Sequence, residues 1–365
     1  MIEFHSSPNP TIGVEIELQL IDDNTLDLKN ISSKVLADID KKFCNRMKYE
    51  LFESMIEINT DICSTIEEVD GDIKQTLRHL EEVLKNYNAS INCSSLHPFA
   101  RGKNQIISND SRYKRIMNDL QIIGTRFITQ GLHVHIGIDE CEKVIKVNNA
   151  LRIYLPLLLA LSTSSPFYEG EDTGLYSYRT KIFESLPLAG MPDYLNNWDH
   201  FTNITENLIK ADVIRSVKDL WWEVRPHPGF GTVEIRICDI PVNLIQILAL
   251  VALMQALVVT IQNLDKYPDT HIQILESNKW QAVRYGLEGT FIDPLTLKQL
   301  PIKKAIEDLC NLIEPVMVSL GSAKYVRVIE EILIHGTGAS QKRDIFKKSG
   351  KFEYMIKSMK ERFYQ

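Results

Sequence analysis

The feature that most constrains this fold is a strict alternation of aliphatic and charged residues in short segments. In residues 232–238, aliphatic side chains alternate with Glu234 and Arg236, and Glu223 and Arg225 repeat this spacing before a Pro- and Gly-rich turn. Successive side chains of a strand point to opposite faces, so the aliphatic residues can enter a core while the charged ones share the other face. An ordinary half-exposed strand also directs polar residues outward, so this segment alone leaves both interpretations open.

The same alternation occurs in three further segments. They are residues 13–21 with Glu15 and Glu17, residues 49–63 with Glu53 and Glu57, and residues 130–139 with His133 and His135. Neighbouring carboxylates repel each other, so strand packing gives no reason to place two on one face. Two histidines on one strand face, opposite a continuous aliphatic face, favour a functional site over a structural role. Glu50 has the opposite parity from Glu57 and is predicted to be structural.

These segments predict an antiparallel sheet with one polar face, because such sheets commonly pack one face on a core and leave the other open. Helices would supply the core, among them an amphipathic helix at about residues 64–87. Residues 242–261 are almost wholly apolar and about long enough to span a bilayer. They contain Asn243, Gln246 and Gln255 and lack basic flanks, so we predict a buried core helix and no membrane association.

The fold class predicted from these patterns is α+β, with a mostly antiparallel, curved sheet and helices packed on its apolar face. No internal repeat or long linker divides the chain, so we predict one catalytic domain over residues 1–365. Its sheet-forming core would span about residues 11–262, followed by a mainly helical part at about 263–365.

Composition narrows the function classes. The chain of 365 residues is 44% hydrophobic and 24% charged, as in soluble globular proteins. A net charge of -7 without a basic cluster argues against nucleic-acid binding. The six cysteines are scattered and several lie among aliphatic residues, which indicates reduced thiols. The first residues lack the pattern of a signal peptide, so we expect a cytoplasmic protein.

The polar face predicts a metal and phosphate site. Several carboxylates that face one hollow cannot all stay ionised without a cation between them. Oxygen-rich ligation with an imidazole suits Mg²⁺ or Mn²⁺ better than zinc. The arginines interspersed among the carboxylates suggest an anionic ligand, because guanidinium matches phosphate and carboxylate oxygens. Metal ions and nucleotide phosphates on one sheet face indicate phosphoryl transfer.

An ordered set of motifs resembles the bacterial type 2 glutamate–cysteine ligases, and more narrowly their carboxylate–amine ligase (YbdK-like) branch. The motifs are GVEIELQL, LFESMIEINTDIC, GLHVHIGI, SSPFYEGEDTGLYSYR, LPLAGMP, WWEVRPHPGFGTVEIRICD and NKWQAVRYGLEG. They run from about residue 11 to 290, and the last 75 or so residues match only loosely. The family belongs with the glutamine synthetase-like folds, so the resemblance implies that fold.

The resemblance also implies an activity: ATP phosphorylates the γ-carboxylate of L-glutamate, and the amine of L-cysteine attacks the acyl phosphate, as in glutathione biosynthesis. Two or three Mg²⁺ ions, with Mn²⁺ as the alternative, would be bound, and the enzyme would be a homodimer. Arg179 would bind the carboxylate substrate, Arg225 and Arg236 would neutralise the transferring phosphoryl group, and His135 would lie near the phosphates. The implied metal ligands are Glu15, Glu17, Glu53, Glu57, His133 and Glu234.

Other functions remain open from the sequence. The same ligase chemistry could act on another amine or carboxylate, since no side-chain pocket for cysteine can be located. A metal-dependent hydrolase also uses His-x-His on a strand, but those enzymes are typically β/α barrels and no β/α repeat is present here. A non-catalytic relative that binds nucleotide or metal is the third class, although no residue of the predicted site is degraded.

Overall fold

The computed structural model describes residues 2–364, and strands and helices alternate through the first two thirds of this range. The strands are β1 (Ile12–Asp22), β2 (Met47–Tyr49), β3 (Met55–Asn59), β4 (Ala89–Asn92), β5 (Leu132–Gly137), β6 (Phe167–Tyr168), β7 (Glu171–Asp172), β8 (Val224–His227), β9 (Thr232–Ile235), β10 (Thr290–Ile292) and β11 (Gln299–Pro301).

The α-helices surround and follow these strands. They are α1 (Ser32–Ala37), α2 (Ile66–Lys85), α3 (Ser111–Leu120), α4 (Cys141–Ser162), α5 (Tyr178–Phe183), α6 (Trp198–Lys210), α7 (Leu244–Asn263), α8 (Ile272–Tyr285), α9 (Ile302–Ser319), α10 (Val326–His335), α11 (Gly338–Ser349) and α12 (Phe352–Arg362). The predicted helix at residues 64–87 is α2, and Thr65 and Glu68 form a reciprocal capping box at its start.

The main sheet is antiparallel, as the alternation predicted. Within the described residues it has seven strands in the order β2-β3-β1-β5-β9-β8, and β4 also pairs with β1. Strand β1 is long enough to serve three partners: its residues 15–19 pair with β3, 12–16 with β5 and 19–22 with β4. β1 is therefore the strand that fixes the relative positions of the polar residues on the sheet.

The aliphatic side chains of the sheet form its buried face. Val14, Ile16, Val134 and Ile235 are at most 2% exposed and belong to the largest hydrophobic cluster. Helix α7 packs on β5, helix α4 packs on β8 and β9, and α2 packs on β1, β3 and β4. This burial provides most of the free energy that holds the sheet in place.

The two most apolar helices are core helices. Both α4 and α7 are long and apolar enough to cross a membrane by length and composition, but 89% and 83% of their most apolar windows are buried inside the protein. The prediction that residues 242–261 form a buried core helix is confirmed. Helix α7 also packs on α4, α9 and α10, so it joins the sheet to the C-terminal helices.

Truncating a side chain of α7 should destabilise the whole protein. Leu253 is 0% exposed, so we expect Leu253→Ala to lower the free energy of unfolding by about 2–5 kcal/mol through lost burial and a residual cavity. Urea unfolding followed by circular dichroism measures this change. Leu312→Ala, at a side chain that is 41% exposed on α9, is the matched control and should cost less than about 0.5 kcal/mol. Equal losses in the two variants would contradict the central role of α7.

Candidate functional site

A cavity of about 300 Å³ lies over the polar face of the main sheet. Its floor comes from β1, β3, β5, β8 and β9, and its walls come from α3, the end of α5 and the turns that flank β8. Its charged and imidazole lining consists of Glu15, Glu17, Lys48, Glu50, Glu57, Arg112, His133, His135, Arg179, Lys218, Arg225, His227, Glu234 and Arg236. The structure therefore brings together all of the predicted site residues except Glu53.

Three residues from three adjacent strands form a first cluster on this floor. Glu15, His133 and Glu234 each place one ligand atom within 4.8 Å of the other two. Glu15 lies directly opposite His133 in the β1–β5 pair, and His133 Nδ1 is 3.3 Å from Glu15 Oε2. His135 borders the cluster, because its Nε2 is 3.7 Å from Glu15 Oε1 and 3.9 Å from Glu234 Oε1.

The first cluster is charged in the form that suits a cation. Burial raises the pKa of Glu15, but hydrogen bonds with His133 and His135 outweigh this and hold the pKa well below its ordinary value. Burial, reinforced by Arg236, lowers the pKa of His133 to about 4, so its ring is neutral near pH 7. With His133 Nδ1 donating to Glu15, the buried Nε2 keeps its lone pair and has no hydrogen-bond partner among the described residues. Two carboxylates and one neutral imidazole fit a divalent cation.

A second cluster, formed by Glu17, Glu50 and Glu57, lies next to the first on the floor of the cavity. Their carboxylate oxygens also lie within 4.8 Å of one another, and Glu17 faces Glu57 directly across the β1–β3 pair. Burial raises the pKa of Glu17 to about 7, with Arg179 opposing and Glu57 reinforcing this shift. Burial also raises the pKa of Glu50 and of Glu57. Three adjacent carboxyl groups with raised pKa values fit a cation that would compensate their charges.

Glu53 does not reach the cavity, so its predicted role as a metal ligand is wrong. Its carboxylate accepts hydrogen bonds from Ser32 Oγ at 3.1 Å and from the backbone N–H of Ser33 at 2.8 Å, at the start of α1. The alternation of β3 begins only at Met55, and the turn before it rotates Glu53 away. Glu50, which the sequence predicted to be structural, lines the cavity beside Glu17 and Glu57, because parity does not extend through that turn.

Two arginines hold Glu234 in place, and they differ in their remaining contacts. Arg225 donates from Nε to Glu234 Oε2 at 2.6 Å and from Nη1 to three carbonyls of residues 217–220. Arg236 also donates to Glu234, but its buried Nε has no hydrogen-bond partner among the described residues. These arginines lower the pKa of Glu234 well below its ordinary value despite burial, which alone would raise it. Arg225 thus orients Glu234, while Arg236 keeps a donor for a ligand.

Arg179 lies beside both clusters. Its guanidinium donates to the carbonyls of Ile237 at 3.1 Å and Arg236 at 3.3 Å, and it lies 5.6 Å from the ring centre of Phe183. A Cβ atom at Gly131 would lie 2.2 Å from Arg179 Nη2 and 2.9 Å from His133 Nε2. Glycine at position 131 therefore permits the close approach of these two side chains.

Glu223 repeats the spacing of Glu234 in sequence but lies outside the cavity. Its Oε1 is 3.1 Å from Nζ of Lys279, which also contacts Glu184 and Glu276. Glu223 precedes β8, so the alternation that places Arg225 on the floor does not apply to it.

Several lining residues were missed by sequence reasoning. In the lining of the cavity, His227 stacks on Phe230 with ring centres 4.1 Å apart, and the His135 ring packs edge-on against both. Phe230 lies in a turn, where no periodicity signals its direction. Another part of the lining is apolar and includes Ile116, Leu120, Phe127, Phe183, Leu186 and Trp221. Leu186 and Trp221 lie in two of the family motifs, so these motifs could have indicated that this apolar part of the lining belongs to the site.

Comparisons with known proteins identify relatives of this chain. A relative from Gloeobacter violaceus, whose name provisionally assigns it as a glutamate–cysteine ligase 2, is 39% identical over 359 residues, which cover 95% of each chain. A relative of the same provisional name from Solibacter usitatus is 36% identical and covers 96% of this chain and 93% of its own. Because each match covers at least 95% of this chain, both include most of the 75 or so C-terminal residues that the motifs covered only loosely.

Solved structures show the fold. The glutamate–cysteine ligase of Francisella tularensis, in complex with AMP, has a TM-score of 0.75 at 14% identity and covers 98% of this chain and 89% of its own. A bifunctional glutathione synthetase from Pasteurella multocida has a TM-score of 0.69 at 12% identity and covers 97% of this chain and 51% of its own. These likenesses confirm the α+β, glutamine synthetase-like fold class. The model of glutamate-cysteine ligase family 2 matches residues 11–361, and the chain belongs to that family.

Proposed function

We propose that this protein is a cytoplasmic, ATP-dependent carboxylate–amine ligase that activates its acid substrate as an acyl phosphate. The observation that carries the proposal is the pair of adjacent three-residue clusters on one sheet face, with Arg236 and Arg179 beside them. A triphosphate and a carboxylate repel each other, so a site that joins them needs cations and guanidinium groups in this arrangement. Membership in glutamate-cysteine ligase family 2 supports the reaction class.

The two clusters are the proposed Mg²⁺ sites, with Mn²⁺ as the alternative ion. Glu15, His133 and Glu234 would hold one ion, and Glu17, Glu50 and Glu57 would hold the other. When bound, the ions would neutralise the phosphates and polarise the γ-phosphoryl group. Glu50 takes the place that the sequence assigned to Glu53.

The protein residues divide the remaining tasks. Arg236, whose Nε is unpaired among the described residues, would donate to an oxygen of the transferring phosphoryl group. Arg225 would keep Glu234 oriented, and His135 would border the phosphates. Arg179 would pair with the carboxylate substrate and align it for attack. The apolar part of the cavity lining would limit access of water to the acyl phosphate.

The proposed substrates are L-glutamate as the acid and L-cysteine as the amine, acting in a homodimer. The names of the relatives support this pair. Another amine or acid on the same machinery is the second candidate, because the apolar wall would accept side chains other than that of cysteine. Intact carboxylate clusters argue against a non-catalytic relative.

ADP release should identify the amine. We expect purified protein with Mg·ATP and L-glutamate to release ADP on addition of L-cysteine, and mass spectrometry to detect γ-glutamylcysteine. Glu234→Gln should lower turnover on the order of 10²–10³-fold by removing a charged ligand of the proposed cation that would stabilise the reacting phosphate. ADP release with a different amine alone would keep the mechanism and change the substrate. No release with any pair, despite measured ATP binding, would refute the ligase.

Manganese binding should separate Glu50 from Glu53. Glu50→Gln should lower the Mn²⁺ affinity of one of the two sites by more than about tenfold. Loss of a residue that only hydrogen-bonds to a metal ligand already lowers affinity by about tenfold, and loss of a ligand should lower it further. Glu53→Gln changes a carboxylate in the same turn but outside the cavity, and it should leave both affinities unchanged. Titration followed by electron paramagnetic resonance measures this difference. A larger loss of Mn²⁺ affinity in Glu53→Gln than in Glu50→Gln would contradict this assignment and indicate that Glu53 is the metal ligand.

The two cation sites should respond differently to pH. The raised pKa of Glu17, about 7, means that protons compete with a cation at the second cluster as pH falls from 8 to 6. Its Mn²⁺ affinity should fall by about tenfold per pH unit for each proton displaced. In the first cluster the pKa values of Glu15 and Glu234 are lowered, and that of His133 is about 4, so its affinity should change little. Equal pH dependence of the two sites would contradict this assignment.

A further inference from the structure

A buried carboxylate outside the cavity accepts hydrogen bonds from the segment that leads into α5, the helix that carries Arg179. Asp239 is 0% exposed and ends the motif that begins at Trp221. Its Oδ2 accepts hydrogen bonds from the backbone N–H of Ser164 at 2.8 Å and from Ser165 Oγ at 2.7 Å. Its Oδ1 accepts a hydrogen bond from Ser177 Oγ at 2.8 Å. One carboxylate thus joins the two ends of the 164–177 segment.

These serines lead directly to Arg179. The backbone N–H of Arg179 donates to Ser165 Oγ at 3.1 Å, so Ser165 bridges Asp239 and Arg179. Ser177 caps α5, the helix in which Arg179 is the second residue, by accepting from the N–H of Thr180. The guanidinium of Arg179 donates to the carbonyl of Ile237, two residues before Asp239. Residues 236–239 therefore hold Arg179 in two ways: its backbone is linked to Asp239 through Ser165, and its side chain donates to the carbonyls of Ile237 and Arg236.

The C-terminal part contributes the opposite charge. Lys342 of α11 is 4% exposed, and its Nζ donates to the carbonyl of Ser164 at 2.6 Å and to Ser94 Oγ. Asp239 and Lys342 therefore hold the same residue, Ser164, one through its backbone N–H and the other through its carbonyl. Removing one charged or polar group from such a buried network leaves its former partners without hydrogen bonds or a compensating charge. Keeping residues 164–177 in the same position then costs free energy.

We propose that Asp239 is the positioning residue that fixes Arg179 beside the two carboxylate clusters, acting through Ser165 and Ser177. Asp239 does not line the cavity, so it acts on the substrate only through Arg179. The inference rests on the proposed function, in which Arg179 binds the carboxylate substrate. Asparagine at position 239 keeps the volume but loses the charge and one acceptor, which tests the network without opening a cavity.

A double-mutant cycle tests the proposal. In the wild-type background, Asp239→Asn should raise KM for the carboxylate substrate on the order of 10- to 100-fold and leave KM for Mg·ATP within about twofold. In an Arg179→Ala background, the same substitution should cause no further loss. Ser177→Ala, which removes one of the bonds to Asp239, should shift KM in the same direction by less. Equal losses in the two backgrounds, or an equal rise in KM for Mg·ATP, would overturn the proposal.

A second measurement separates this inference from the proposed function. If the wild-type protein turns over no pair of substrates, crystal structures of wild type and Asp239→Asn decide the question. The variant should lose the hydrogen bonds from the Arg179 guanidinium to Ile237 and Arg236, and an unchanged guanidinium position would overturn the proposal. Asp172→Asn is the matched control, because Asp172 lies in the same segment and pairs with Arg343 on α11. It should leave Arg179 and both KM values unchanged.

Discussion

The charge balance on one face of the central sheet underlies both the stability and the chemistry of this site. Burying a carboxylate is costly unless a partner compensates it. Glu234 has two arginine partners and stays ionised, whereas Glu17, Glu50 and Glu57 face one another and hold raised pKa values. The protein therefore compensates the charge of Glu234 more fully than it compensates the charges of the second cluster. In the proposed function, a cation at the second cluster would supply the compensation that the surrounding residues leave incomplete.

The opposite face of the sheet stabilises this arrangement, because its side chains are aliphatic and pack on α2, α4 and α7. Hydrophobic burial there offsets the repulsion among carboxylates on the polar face. The antiparallel ladder also holds Glu15, His133 and Glu234 in register through backbone hydrogen bonds. A rigid set of donors needs little reorganisation when a charged ligand arrives, which is a main source of electrostatic catalysis.

The sequence predicted the site where strands are continuous and failed where they end. Alternation correctly placed Glu15, Glu17, His133 and Glu234 on the floor of the cavity, because all four lie inside ladder-paired strands. It failed in the turn before β3, where rotation of the chain places Glu50 in the cavity and Glu53 outside it. Parity holds only within a ladder, and no local pattern states where the ladder begins. Sequence analysis also did not predict that Phe230 lines the cavity, because Phe230 lies in a turn and turns have no side-chain periodicity.

Interactions distant in sequence set the position of Arg179, and they show how the fold separates reaction from substrate. Asp239 and Lys342 lie 60 or more residues from the 164–177 segment that they anchor, so no local motif could reveal their contribution. In the proposed function, the sheet floor carries the charges that acyl phosphate chemistry would require. The walls, made of α3, the end of α5 and the turns beside β8, carry the shape that an amine would meet. Because loops and short helices change at lower structural cost than a paired ladder, substrate choice can diverge in this family while the floor stays fixed.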